Sequence, residues 1–71
     1  MDVRRRLALN VRRLRRGKEL SQEKFALEFG VDRTYISGIE RGVRNPTILI
    51  VERLAGALDV SVAELFADPV E

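Results

Sequence analysis

The chain has no cysteine, no histidine and no tryptophan, and only 2 prolines in its 71 residues. Without cysteine there is no disulfide framework and no thiolate zinc site. Without histidine the commonest metal ligand and general base is missing. Metalloenzyme and catalytic-triad chemistry are therefore set aside, and no cofactor or metal is expected. Aromatic residues are scarce as well. Phe25, Phe29, Tyr35 and Phe66 fall mostly where a core needs them and form no stacking platform for single-stranded nucleic acid. No apolar run approaches the ~18 residues of a membrane span. The basic start, Met1 to Arg6, is followed only by Leu7-Ala8-Leu9 before Asn10, too short for the apolar stretch of a secretory signal. A cytoplasmic protein without membrane association is the expectation.

A chain this short holds one core and no separate effector domain, so no small-molecule ligand is expected and residues 1–71 are read as a single domain. Its formal net charge is only +2, but the charge is unevenly placed. Residues 1–44 carry 12 Lys and Arg against 6 Asp and Glu, and residues 45–71 carry 1 against 5. A basic N-terminal part suits a polyanion, because neutralising phosphates releases counterions.

Caps and periodicity predict five helices and no strand. The first runs from near Asp2 to about Arg16, with Leu7, Val11 and Leu14 on one face and Gly17 as its stop. Ser21 caps a second, Gln22 to Phe29, ended by Gly30. Asp32 caps a third, Arg33 to about Arg41, with Gly42 as its stop. Thr47 caps a fourth, Ile48 to Leu58, and Ser61 a short fifth, Val62 to Phe66. Asp68-Pro69-Val70-Glu71 is expected to fray.

The stretch from Gln22 to Arg41, QEKFALEFGVDRTYISGIER, has the form of two helices crossing steeply over a tight turn. Such a pair needs a small residue where the backbones approach, a glycine at the turn and apolar residues on the facing sides. Ala26, Gly30 and the set Phe25, Phe29, Val31, Ile36 and Ile39 meet those demands. This pattern resembles the Cro and phage-repressor class of helix-turn-helix proteins, the XRE family, over roughly residues 7 to 66. The flanking pieces also match: Asn10 to Arg15, Leu20-Ser21-Gln22, Ile36-Ser37, Ile39 to Gly42, Arg44-Asn45-Pro46, Leu54-Ala55, Ala57-Leu58, Val60-Ser61 and Glu64-Leu65-Phe66. Within that family, Arg33 to Ser37 and Arg41 to Pro46 look most like the controller proteins of restriction-modification systems.

The resemblance implies an all-α, compact five-helix, lambda-repressor-like domain whose third helix lies in the major groove of a double-stranded DNA operator. Arg33, at the first position of that helix, would then reach guanine O6 and N7. Thr34 and Ser37 would read bases through their hydroxyls or the threonine methyl. Gln22 matches a phosphate-binding position at a helix N-terminus, and Tyr35, Arg44 and Asn45 would face the sugar-phosphate backbone. Tyr35 has a rival reading, partial burial against the domain. Gly38 falls at a fourth base-contact position but departs from the family, where a polar base-reading side chain is common. Either its bareness lets the helix sit deeper in the groove, or it is simply tolerated. Arg15 and Glu40 occupy positions that often pair, as a structural clamp on the third helix. Arg4, Arg5 and Arg6, at a helix N-terminus that disfavours cations, either touch phosphate or are tolerated.

The fourth helix places Ile48, Val51, Leu54, Ala55 and Leu58 on one apolar face, with Leu49 nearly opposite and Ile50 at its margin. With Val62 on the fifth helix, Leu49 and Ile50 suggest a homodimer interface within about residues 47 to 66. A homodimer would read a near-palindromic operator with two recognition helices about 34 Å apart. The alternative is a helical protein-interaction module, such as an antitoxin, whose exposed fourth and fifth helices bind a partner protein. An enzyme is not expected.

Overall fold

The computed structural model describes residues 2–69. Among them run five helices: α1 (Val3–Gly17), α2 (Gln22–Phe29), α3 (Arg33–Glu40), α4 (Ile48–Leu58) and α5 (Val62–Leu65). Each start has a side-chain cap. Asp2, Ser21, Asp32, Thr47 and Ser61 all sit in extended backbone and accept an N–H of the first turn, satisfying a donor the helix leaves unpaired. Ser61 and Glu64 complete a reciprocal pair, since the Glu64 carboxylate accepts the Ser61 N–H at 3.0 Å. That second bond lets a helix of only four residues persist.

The ends are equally explicit. Gly30 and Gly42 take left-handed backbone, φ 84° and 74°, where a side chain would be strained. At α3 the Gly42 turn lets the Val43 N–H return to the Gly38 carbonyl (3.0 Å) and the Gly42 N–H to the Ile39 carbonyl (3.0 Å), closing the last turn. α1 departs from expectation. Gly17 is its last helical residue, and the left-handed turn falls two residues later on Glu19, φ 58°. The Leu20 N–H then reaches back to the Arg15 carbonyl at 3.2 Å.

α1 is the centre of the fold and packs against α3, α4 and α5. Leu7 and Val11 meet Phe25, Ala26 and Phe29 of α2, Ile36 and Ile39 of α3, Val51, Leu54, Ala55 and Leu58 of α4, and Leu65 of α5. The Phe25 and Phe29 rings stack at 5.9 Å between centroids. Burying each large apolar side chain stabilises by about 1.5–3 kcal/mol, against about 1 kcal/mol for a cap. Packing therefore sets the fold and caps set the boundaries. Ile48 is the exception to the expected core face, because it is 85% exposed. It is the first residue of α4, one turn before Val51, and lines a surface cleft with Val3, Leu7 and Phe66 instead of entering the core.

The chain's C-terminal segment is held rather than loose as far as it is described. Asn10, fully buried on α1, donates both amide hydrogens, to the Leu65 and Ala67 carbonyls at 2.9 Å each. Arg6 approaches the Asp68 carboxylate at 3.3 Å. Of the segment expected to fray, Asp68 and Pro69 are described and residues 70 and 71 lie outside the described residues. No helix among the described residues is long and apolar enough to cross a membrane.

Candidate nucleic-acid interface

The α2–α3 crossing supplies the frame. Ala26 is 2% exposed, Gly30 makes the left-handed turn, and Ile36 and Ile39 fix the inner side of α3 in the core. Val31, in the turn, is half-buried against the same cluster. With two apolar anchors inward, helical periodicity sends Thr34 and Ser37 to the other face, while Arg33 is the first residue of the helix. Arg33 and Thr34 are exposed and Ser37 is half-buried. Arg33 engages no carboxylate among the described residues, so its guanidinium stands free at the start of α3.

Asp32 organises that end. Its carboxylate accepts the Thr34 N–H at 2.7 Å and also the Thr34 hydroxyl. Hydrogen bonding by the hydroxyl first, and by the N–H second, holds the Asp32 carboxyl below its ordinary range. It therefore stays ionised at neutral pH, where the helix N-terminus favours an anion. That contribution is present above the usual carboxylate range and lost as pH falls through the lowered value. The Thr34 hydroxyl donates to Asp32, so its oxygen is left to act as an acceptor.

Behind α3 lies a buried polar network. Arg15 Nε and Nη2 meet the two carboxylate oxygens of Glu40 at 2.7 and 3.0 Å, and Arg15 Nη1 donates to the Leu20 carbonyl at 2.6 Å. The two side chains are 7% and 3% exposed. The expected pair is thus in contact, and bidentate, which fixes orientation as well as distance. Gln22 joins it. The Gln22 amide donates to Glu40 Oε1 at 3.1 Å, so a residue expected to face phosphate has one N–H committed inward and lies half-buried. A single carboxylate at the end of α3 therefore ties together the end of α1 and the start of α2.

Gly38 is not a bare surface. It is buried, and the Arg44 side chain lies across it: a Cβ there would stand 2.7 Å from Arg44 Cγ and 3.0 Å from Nε. The space left by the missing side chain is filled by Arg44. The Arg44 guanidinium carbon sits 5.3 Å from the centre of the Tyr35 ring. Tyr35 is half-buried and packs against the core, with the Arg44 guanidinium over its ring. Asn45 is exposed in the following loop. Arg4, Arg5 and Arg6 divide. Arg4 pairs with its own cap, Asp2 (3.4 Å), and Arg6 with Asp68 (3.3 Å), which offsets the unfavourable dipole, while Arg5 is exposed.

Two residues with a part in the frame had no role in the sequence reading. Arg53 of α4 donates to the Phe29 carbonyl at 3.1 Å and covers the Phe29 ring at 4.8 Å, closing the end of α2. Asn10 pins α5 to α1. A polar amide three residues from Leu7 and four from Leu14, on the buried face of an amphipathic helix, was the available signal for the second. Nothing local marked the first.

On the proposed partner-binding side, Leu49 is 69% exposed and Val62 42%, whereas Ile50 is half-buried against the core. Ile48 adds to this exposed apolar surface.

Comparison with known proteins places this geometry. The helix-turn-helix family matches residues 11–65. The chain belongs to the helix-turn-helix family. The control protein C.MunI of a Mycoplasma species is 40% identical over 68 residues, covering 94% of this chain and 92% of that one. The crystal structure of the restriction-modification controller protein C.AhdI from Aeromonas hydrophila is 43% identical, covers 89% of this chain and 96% of that one, and superposes with a TM-score of 0.81. The restriction-modification controller protein C.Esp1396I, seen as a tetramer in complex with its natural 35 base-pair operator, is 36% identical and covers 93% of this chain and 87% of its own, with a TM-score of 0.80. The helix-turn-helix match begins at Val11 and ends at Leu65, the residue whose carbonyl Asn10 holds. α5 is therefore part of the family fold and is fastened by a side chain just outside the matched span.

Proposed function

We propose that this helix-turn-helix protein is a transcriptional regulator that binds a near-palindromic double-stranded DNA operator as a homodimer, and that it acts as a controller protein in the cytoplasm. The observation that carries the reading is the exposed N-terminal end of α3, where a free Arg33 and an oriented Thr34 project from a helix locked from behind by Arg15, Glu40 and Gln22. An α-helix is about 10–12 Å across with its side chains, which suits a major groove ~12 Å wide. Arg33 reads guanine, Thr34 and Ser37 read neighbouring bases, and Gln22, Tyr35, Arg44 and Asn45 hold the backbone. Gln22 uses the amide hydrogen not given to Glu40.

Size supports two copies. The described chain extends 28 × 22 × 20 Å and carries one recognition helix, whereas adjacent half-sites facing one side of B-DNA lie about 34 Å apart. Leu49 and Val62, with Ile50 behind them, offer the apolar surface for the second copy. The C-terminal part is the acidic one, so a dimer formed there turns its basic part toward phosphate. The relatives are controller proteins and regulators, and the reading is of a binding protein, not a catalyst.

The test is selection of a randomised duplex pool, followed by affinity for the recovered site across a salt series. A two-fold-related motif bound ~10³-fold or more above random DNA is expected, with affinity falling as salt rises. Recovery of no motif, with weak binding lost by physiological salt, would overturn the proposal in favour of a protein-interaction module.

A further inference from the structure

We propose that Gly38 is a positioning residue for Arg44: its missing side chain seats the Arg44 stem on α3 and thereby holds the guanidinium beside Tyr35, ready for the DNA backbone. The inference deepens the DNA-binding reading and rests on it.

Two observations carry it. Gly38 costs the interior of α3 helix propensity, and its backbone does not need glycine, since φ is positive only at Gly30 and Gly42 among the glycines. What needs glycine is the neighbour. A Cβ at Gly38 would come within 2.7 Å of Arg44 Cγ, 3.0 Å of Nε and 3.4 Å of Cδ. Gly56, the corresponding interior glycine of α4, has nothing within 4 Å of such a Cβ.

The backbone delivers Arg44 to the same spot. The left-handed turn at Gly42 folds the loop back, and the N–H groups of Val43 and Arg44 both donate to the Gly38 carbonyl, at 3.0 and 3.3 Å. The carbonyl of Gly38 fixes where Arg44 begins, and the absent Cβ fixes where its side chain runs. With the stem across Gly38, the guanidinium arrives over the Tyr35 ring at 5.3 Å, an arrangement that attracts a cation to the ring face. A long arginine chain otherwise samples many rotamers, and confining it lowers the entropy lost when it meets phosphate.

The test is a double-mutant cycle of Gly38→Ala and Arg44→Ala on the operator site recovered by selection. Alanine favours the helix and its methyl displaces only a flexible side chain, so Gly38→Ala is expected to fold with an unchanged or higher Tm. Each single variant should weaken operator binding about tenfold, the scale of one lost contact. The double variant should lose no more than either single one, and the slope of affinity against salt should drop by about one in all three. Parent-like binding by Gly38→Ala would overturn the proposal. So would a loss from Gly38→Ala that persists when Arg44 is already alanine, which would mean that the methyl itself meets DNA. A DNA-free arm keeps the two readings separate. Proton chemical shifts of the Arg44 side chain should show the Tyr35 ring current in the parent and lose it in Gly38→Ala. Retention of those shifts overturns the seating even if the parent were found to bind no operator at all.

Discussion

On α2 and α3 the exposed side chains are polar or charged except for Leu27, whereas α4 opens with Ile48 and Leu49 at 85% and 69% exposure and α5 adds Val62 at 42%. The interiors differ in the opposite sense. Behind α3 lies a buried ion pair with two further polar partners, the Leu20 carbonyl and the Gln22 amide, while α4 meets the core mainly through Val51, Leu54, Ala55 and Leu58, with Ile50 packed beside them. Under the proposed function, the contrast follows from what each half must hold constant. A recognition helix needs fixed orientation, which directional charge-assisted bonds provide. An association surface needs apolar area, which non-directional packing leaves available.

The largest effect should come from cutting the polar side of that contrast. Glu40→Ala leaves Arg15 buried without its carboxylate and releases Gln22, and breaking one partner of a buried pair costs about 3–5 kcal/mol. For a domain whose total stability is of the order of 5 kcal/mol, urea unfolding followed by circular dichroism should find most of it gone. Exchanging both partners for apolar residues, Arg15→Met with Glu40→Leu, should recover much of the loss while weakening operator binding, because Gln22 loses its anchor. A Glu40→Ala midpoint equal to the parent's would end the claim that the network orders α3.

Smaller in stability but decisive for assembly is Leu49→Glu. The side chain is 69% exposed, so the isolated fold should change by no more than about 0.5 kcal/mol. Sedimentation should nonetheless show association weakened tenfold or more, since a carboxylate would have to be buried between copies. Operator binding should fall with it. A variant that remains dimeric and binds would move the interface away from α4.

What the sequence revealed of these halves was what local chemistry decides. Ser21, Asp32 and Thr47 mark helix starts because their oxygens fit a first turn, and Gly30 and Gly42 mark stops because they alone accept left-handed backbone without strain. Glu19 was missed because that turn falls on a glutamate while Gly17, two residues earlier, drew the assignment. Ile48 was misplaced because periodicity gives direction around a helix but not whether a neighbour reaches its end. In the site, the pairing of Arg15 with Glu40 and the outward placement of Arg33 and Thr34 were legible through resemblance. The seating of Arg44 on Gly38, the inward hold on Gln22 and the reach of Arg53 to Phe29 were not. Each depends on where a long side chain travels after the backbone has folded.

Arg53 sharpens the comparison by crossing it. It starts on α4 and ends on the other half, donating to the Phe29 carbonyl at 3.1 Å with its guanidinium 4.8 Å from the ring centre. That carbonyl lies at the end of α2, where the helix itself supplies no partner. Arg53→Met keeps an apolar stem over the ring but removes the donor and the charge. The cation–ring attraction at an exposed site is about 0.5–1 kcal/mol, and the lost hydrogen bond is of similar size. Stability should fall by about 1 kcal/mol, with faster amide exchange at Gly30 and Val31, whose N–H groups both donate to the Ala26 carbonyl at that turn. Association through Leu49 should be unchanged. If exchange instead quickened along α4 and the turn kept its protection, Arg53 would belong to the association half, and the two halves would be joined by the apolar core alone.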